Sequence, residues 1–220
     1  MRRWIRSYNQ GMKILIATKN RGKFGEIVGV LDDIPGVSFE FLGDHSVEDE
    51  DFVEDGETHR ENAQKKAQYY CEKLGEDFDF VLGEDSGIYV DALADELGLE
   101  TRRWGAGHDA TDEEWLEHFM KVMAERAVMD EERGARFVCH SCLVGGGSGG
   151  EDVEKFFDGE TLGKITQEPG AEILPGLPLS SVFLADGFDK VYAALGREEK
   201  NKISHRGRAI AKLKDFLTNL

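Results

Sequence analysis

Long hydrophobic runs are missing from this sequence. No apolar stretch approaches the roughly 20 residues that a helix needs to cross a bilayer, and no signal-peptide pattern opens the chain. A membrane partner is therefore not expected. Cysteine is scarce too: three residues cannot build a disulfide framework, so a reducing, cytoplasmic setting fits best. Cys139-His-Ser-Cys142 has CxxC spacing but lies inside a strand-like run without a second pair. That pattern suits buried strand thiols rather than zinc or redox chemistry. Positive charge is also in short supply. With 27 Lys and Arg against 44 Asp and Glu, the net charge is −17, which argues against nucleic acid or anionic membranes as partners. Any site for an anionic ligand must then gather its own cations or a metal.

What is present is the composition of a globular protein, 40% hydrophobic and 10% aromatic over 220 residues. That length suits one sizeable domain or two lobes sharing a core. Residues 1–12, rich in arginine and lacking an apolar core, read as a disordered N-terminal extension, and 13–220 as a single domain. Lys13-Ile-Leu-Ile-Ala17 is a compact apolar run, a buried strand. It leads through Thr18-Lys-Asn-Arg-Gly-Lys23 into a helical pattern that lasts to Leu31. A strand, a polar turn and a helix aim backbone N–H groups and a helix dipole at an anion. Asn20 suits the N-cap position. Lys23 stands in a first helical turn, where a cation opposes the dipole unless an anion is near. The GxxxxGK[ST] spacing of a Walker loop is absent.

Val37, Phe39 and Phe41 alternate as a second strand. Asp44 to Glu57 then packs eight acids into fourteen residues, the composition of a solvated loop. A helix follows from Thr58 to about Leu74. Its Thr58-His-Arg-Glu61 opening has capping-box spacing, so Glu61 either closes the helix end or serves a metal. In Phe80-Val-Leu-Gly-Glu-Asp-Ser-Gly-Ile-Tyr-Val-Asp-Ala-Leu93, an apolar run reaches Gly83 and two carboxylates, Glu84 and Asp85, follow. Two readings stand: carboxylates at a sheet edge that hold metal and polarise water, or an acidic strand-to-strand turn.

Thr111-Asp-Glu-Glu114 opens another helix, with Trp115, Phe119, Val122 and Met123 as its core stripe and His118 off that stripe, exposed. Arg136–Val144 and Val153–Phe157 form a hairpin around a Gly-rich tip at 145–150. Pro169, Pro175 and Pro178 stiffen a loop from Glu168 to Ser181 that cannot be a central strand. Finally, Ser204 is the expected N-cap of a helix whose first turn holds His205 and Arg206. With Lys200 and Lys23, these cations suggest one polyanionic ligand, although an ordinary surface cluster gives the same pattern.

The ordered set of motifs resembles the inosine/xanthosine triphosphate pyrophosphatases of the Ham1/RdgB type. The matching segments are Ala17-Thr-Lys-Asn-Arg-Gly-Lys23 with Glu26, Gly56-Glu-Thr-His-Arg-Glu-Asn-Ala-Gln-Lys-Lys-Ala67, and Glu84-Asp-Ser-Gly87 with Val90-Asp-Ala-Leu93. Asp109-Ala-Thr-Asp112, Phe157-Asp-Gly-Glu-Thr-Leu-Gly-Lys-Ile165 and Glu199-Lys-Asn-Lys-Ile-Ser-His-Arg-Gly207 complete it. The resemblance implies an α/β fold, elongated and two-lobed around a long mixed β-sheet with flanking helices and an active cleft between the lobes. It further implies a homodimer that hydrolyses nucleoside triphosphates to monophosphate and pyrophosphate with Mg²⁺, clearing ITP, dITP and XTP.

Carried over by motif, Thr18, Asn20, Lys23 and Lys200 hold phosphates, and Ser86 binds substrate. Glu61, Glu84 and Asp85 serve the metal, with Asp85 the base for water and Lys23 and Glu61 beside it in catalysis. Ser204, His205 and Arg206 border base and phosphates. One region departs from the family pattern. Gly176-Leu-Pro-Leu-Ser-Ser-Val-Phe183 places Ser180 where an Asp is expected and Leu179 where an aromatic ring is expected. Glu100-Thr-Arg-Arg-Trp104 likewise replaces the usual Ser-Ala-Arg-Tyr. Base choice is therefore expected to be shifted or relaxed, with Trp104 or Phe183 as candidate substitutes for the missing ring. The rival readings are a pyrophosphatase for pyrimidine or modified nucleotides, as in Maf-like proteins, and a catalytically weak nucleotide-binding module.

Overall fold

The computed structural model describes residues 11–48, 52–93, 96–101, 104–105, 109–146 and 152–220. Residues 1–10 of the expected extension, Arg102, Arg103 and most of the Gly-rich tip lie outside these. Met12, assigned from sequence to the extension, is instead the first residue of a strand. The fold is α/β, with strands β1 (Met12–Ala17), β2 (Val37–Phe41), β3 (Phe80–Val90), β4 (Gly134–Gly146), β5 (Asp152–Ile165) and β6 (Phe183–Ala185). The helices are α1 (Arg21–Leu31), α2 (His59–Leu74), α3 (Asp112–Arg126), α4 (Arg197–Ile203) and α5 (His205–Thr218). One sheet takes the order β2-β1-β3-β4-β5-β6. β1 runs parallel to β2 and β3, while β5 and β6 are antiparallel, so the sheet is mixed.

The chain divides into two compact units, the first from residues 1–85, 140–158 and 209–220, the second from 86–139 and 159–208. In the first unit, β1 is apolar and buried from Ile14 to Ala17 because both of its faces are covered there. Successive side chains of a strand alternate between faces. Ile14 and Ile16 therefore pack with Ile27 and Leu31 of α1 and Ile210, Leu213 and Leu217 of α5. Leu15 and Ala17 pack with Val81 and with Tyr70 of α2 on the other side.

The second unit has its own core, in which Trp115, Phe119 and Met123 of α3 pack with Ile88, Val90, Ile165, Phe183 and Tyr192. One of its buried cations is structural. Arg133 is 1% exposed, and its guanidinium donates to the carbonyls of Ala127, Ile165 and Thr166 at 2.8 Å. The Ala127 carbonyl lies at the C-terminal end of α3, where the helix dipole favours a cation. Burial pushes the guanidinium pKa down from its ordinary value, against the smaller pull of Asp130.

The contact that positions Asp85 and its partners is between α2 and β3. Ala63 and Ala67, one helical turn apart and fully buried, lie directly on Gly83. A Cβ built on Gly83 would stand 2.1 Å from the Ala63 carbonyl oxygen and 2.7 Å from the Ala67 nitrogen. Helix and strand backbones thus approach as closely as the chain allows. Gly83→Ala is expected to lower stability by about 1–3 kcal/mol, the usual range for overpacking. A urea melt with a lower midpoint at unchanged slope would register it.

Candidate active site

In the first unit, the β1–α1 turn folds on its own side chains. Thr18 Oγ1 accepts the Asn20 N–H at 3.1 Å, and Asn20 Oδ1 accepts the Lys23 N–H at 3.0 Å. Asn20 is thus the N-cap of α1, as its type suggested. The first turn of α1 holds no acid, and Lys23 reaches out of it to Glu84, with Nζ 3.0 Å from Oε2. The anion that this misplaced cation called for is supplied by the protein itself.

Glu84 and Asp85 do not end a strand, as one sequence reading held, nor do they form a turn. β3 continues through both to Val90, so its alternation sends them to opposite faces. Glu84 goes to the side of α1. Asp85 shares its side with Gly83 and α2, and there His59 Nδ1 donates to Asp85 Oδ2 at 2.8 Å and Asn62 Nδ2 to the same oxygen at 3.2 Å. Lys66 Nζ donates to the Glu84 backbone carbonyl at 3.0 Å and also pairs with Glu54. Burial pushes the Asp85 carboxyl up, but the His59 hydrogen bond and the charges of Lys23 and Lys66 outweigh it. The net result is a pKa below the ordinary value. A buried carboxylate is thereby held ionised.

Glu61 is placed differently from the metal reading. Thr58 Oγ1 accepts the Glu61 N–H at 3.1 Å, and Glu61 Oε2 takes the Glu57 N–H at 2.7 Å, so its carboxylate closes the helix end at the surface. Glu61, Glu84 and Asp85 are therefore not gathered as one ligand set. Among the described residues no three His, Cys, Asp or Glu side chains form a group that could hold a metal ion. The donor chemistry still fits a hard divalent cation of the Mg²⁺ kind. Such an ion uses one or two carboxylates and takes its remaining oxygens from substrate and water. An ionised Asp85 meets that need without a cage.

The acidic stretch before α2 is less free than its composition implied. Lys65 binds Asp55 at 2.8 Å, Tyr69 donates to the Glu48 carbonyl at 3.3 Å, and the Phe52 ring lies 4.9 Å from that of Tyr69. Residues 49–51 lie outside the described chain.

In the second unit, Arg206 Nη2 donates to Ser86 Oγ at 2.9 Å. Ser204 Oγ accepts the Gly207 N–H at 3.0 Å, confirming it as the cap of α5. Lys200 is buried, with Nζ 3.3 Å from Ser180 Oγ and 5.7 Å from the centre of the Tyr192 ring. His205 is buried as well, its ring 4.5 Å from that of Phe137 at an angle of 8°. The basic cluster is therefore no surface scatter: Lys200, His205 and Arg206 are 7%, 5% and 3% exposed.

Of the two candidates for the missing base-stacking ring, Phe183 is closed off and Trp104 is half-buried. Phe183 is fully buried against Phe137 and Tyr192. Trp104 packs on Trp115, His118 and Phe119, which also makes His118 half-buried rather than exposed. Leu179 belongs to the apolar core. Asp112 has a positioning role that the sequence reading did not assign, since its Oδ2 accepts the Gly176 N–H at 2.6 Å and ties down the proline-rich loop.

His59, Asn62 and Lys66 were missed although their motif was quoted. Helical spacing could have found them. Positions 59, 62 and 66 follow the i, i+3, i+7 rule for one face, the same face that buries Ala63 and Ala67. Glu61, two residues on from His59, points about 200° around the helix from it.

The model of the Ham1 family matches residues 14–216. The chain is 40% identical over 164 residues to a dITP/XTP pyrophosphatase of Opitutus terrae, covering 74% of this chain and 76% of that protein. It is 34% identical over 212 residues to a dITP/XTP pyrophosphatase of Aquifex aeolicus, covering 94% and 98%. The solved structure of a HAM1 protein from Coxiella burnetii superposes with a TM-score of 0.75 at 29% identity, covering 95% of this chain and all of that one (100%).

The Asp85 environment gives a pH dependence with a definite sign. A carboxyl whose folded pKa lies below its unfolded value of about 3.9 adds stability that is present above that pH and is lost as pH falls through the folded value. Asp85→Asn is therefore expected to flatten the loss of stability below about pH 4, measured by denaturant melts across the acid range. An unchanged acid limb would contradict this account of the carboxylate.

Proposed function

This chain belongs to the Ham1 family, and from that premise we propose that it hydrolyses nucleoside triphosphates to the monophosphate and pyrophosphate, with ITP, dITP and XTP among its substrates. The observation that carries the reading is the ionised, buried Asp85, held by His59 and Asn62 and lowered in pKa in part by Lys23 and Lys66. A protein that only bound nucleotide would have no use for a carboxylate kept charged at such cost in desolvation. The names of the curated relatives, dITP/XTP pyrophosphatases, support the same substrate class.

In this reading the Thr18–Lys23 turn, the N-terminus of α1 and the Lys23 ammonium hold phosphate oxygens. Glu84 keeps Lys23 extended toward them until substrate arrives. Asp85 accepts a hydrogen bond from the attacking water and aims it at the α-phosphorus. Attack in line expels pyrophosphate, a step in which positioning and electrostatics carry most of the catalysis. Asp85, with substrate oxygens and water, would hold a divalent cation such as Mg²⁺, which when bound would supply positive charge against the triphosphate and its leaving group. By family resemblance, Lys200, Ser204, His205, Arg206 and Ser86 are assigned to substrate binding. We place the enzyme in the cytoplasm, where its three cysteines stay reduced, and assign it the homodimeric state that the family resemblance implies.

Base choice is expected to be loose. Ser180 faces Lys200 where a carboxylate was expected, and Leu179 and Phe183 are committed to the core. Losing one base–aromatic stack removes roughly 1–3 kcal/mol of binding for any base, about 5–150-fold in affinity, and losing the carboxylate removes a group that reads the base edge, so ITP and XTP should be only weakly favoured over GTP. Pyrophosphate release from a panel of ITP, XTP, dITP, dUTP and the standard nucleotides tests this, and a steep preference for ITP and XTP would refute the relaxed specificity. Asp85→Asn should abolish most turnover while nucleotide binding, followed by calorimetry, persists; full turnover in that variant would end the catalytic assignment.

A further inference from the structure

Asp85 is fixed by two donors from α2, and one of them is also tied to the loop that precedes the helix. Asn62 spends both ends of its amide. Its Nδ2 donates to Asp85 Oδ2 at 3.2 Å, and its Oδ1 accepts the backbone N–H of Gly56 at 2.7 Å. The side chain is 2% exposed, so water competes poorly for either bond. Gly56 is closed against it, since a Cβ there would lie 2.5 Å from Asn62 Oδ1 and 3.0 Å from the Asn62 nitrogen. His59, one helical turn earlier and 4% exposed, brings Nδ1–H to the same carboxylate oxygen at 2.8 Å. An ionised carboxylate can only accept, so both contacts require a donor and neither tolerates an acceptor in its place.

We propose that Asn62 and His59 are positioning residues for Asp85, and that Asn62 couples the backbone of the loop at Gly56 to the rotation of that carboxylate. Two bonds converging on one oxygen from two points on a rigid helix stop the carboxylate from turning about its last torsion. The second oxygen is then presented in one direction. Because Asn62 holds Gly56 with its other end, a shift of the loop is passed to Asp85 through the amide. Neither residue needs to touch substrate for this. The inference rests on Asp85 being the carboxylate that acts in phosphoanhydride hydrolysis.

The test is a double-mutant cycle read in kcat and KM with ITP. Asn62→Ala is expected to lower kcat about 10–100-fold, the usual cost of removing a partner that orients a catalytic ligand, with KM nearly unchanged. In the Asp85→Asn background the same change should cost almost nothing further, because a positioning residue acts only through the group it positions. Gly56→Ala, which leaves Asn62 in place but pushes on its oxygen, should lower kcat in the same direction. His59→Leu should lose activity that His59→Asn, which restores a donor near the Nδ1 position, recovers. Equal losses from Asn62→Ala in both backgrounds, or full turnover in Asn62→Ala while Asp85→Asn is inactive, overturn this inference alone. Full turnover in Asp85→Asn overturns the assignment of Asp85 and this inference with it. Thermal melts accompany each variant, and if Asn62→Ala does not fold, Gly56→Ala and the His59 pair decide the matter by the same criteria.

Discussion

The seating of α2 on β3 at Gly83 is the constraint on which the candidate site depends. Two alanines and a glycine let the helix and strand backbones touch. One helical turn toward the N-terminus of α2 is about 5.4 Å, and two residues along β3 are about 6.6 Å. The step of about one turn from Ala63 back to His59 therefore matches the step from Gly83 on to Asp85, with Asn62 on the same helix face. Had the contact been spaced by larger side chains, the imidazole and amide would fall short of the carboxylate. Small residues far from any chemistry thus set the length of hydrogen bonds at its centre.

That arrangement also resolves an electrostatic problem. The first unit buries two adjacent carboxylates in a protein with a net charge of −17, and isolated buried charges are costly. The strand's alternation separates them, one to each face, so each meets its own partners: Lys23 for Glu84, and His59 with Asn62 for Asp85. Lys66 adds a further cation against the Glu84 backbone. Lys23, the cation that looked misplaced in the sequence because the α1 dipole opposes it, helps make this burial tolerable. In the second unit the same economy appears in Arg133, whose charge is carried entirely by carbonyl dipoles among its hydrogen-bonded partners.

Much of this was legible before any coordinates. The buried strand 13–17 shows in its unbroken apolar run. The caps at Asn20, Thr111 and Ser204 show in residue type and position, since a short side-chain oxygen is what an open helix end needs. The α3 core stripe shows in its spacing. Glu61 was the informative failure. Its type invited a metal role, yet helical periodicity points it away from β3, and the residues that do face Asp85, His59 and Asn62, carry no obvious catalytic signature. Periodicity was the better guide there than chemistry. The strand break expected at Gly83 failed for a related reason, because Asp, Ser and Gly that usually mark turns were overridden by pairing and packing on both sides of β3.

By itself, the sequence determined the family, the order of strands and helices, the helix ends and the set of charged residues available to a phosphate-bearing substrate. These follow from local rules, in which each residue's conformational preference or nearest hydrogen bond is set within a few positions. Which carboxylate meets which cation, and which face of α2 serves Asp85, were decided only by tertiary structure. So was the loss of Phe183 and Leu179 to the core. Those outcomes depend on side chains far apart in sequence competing for the same buried volume, and no local pattern records which of them wins it.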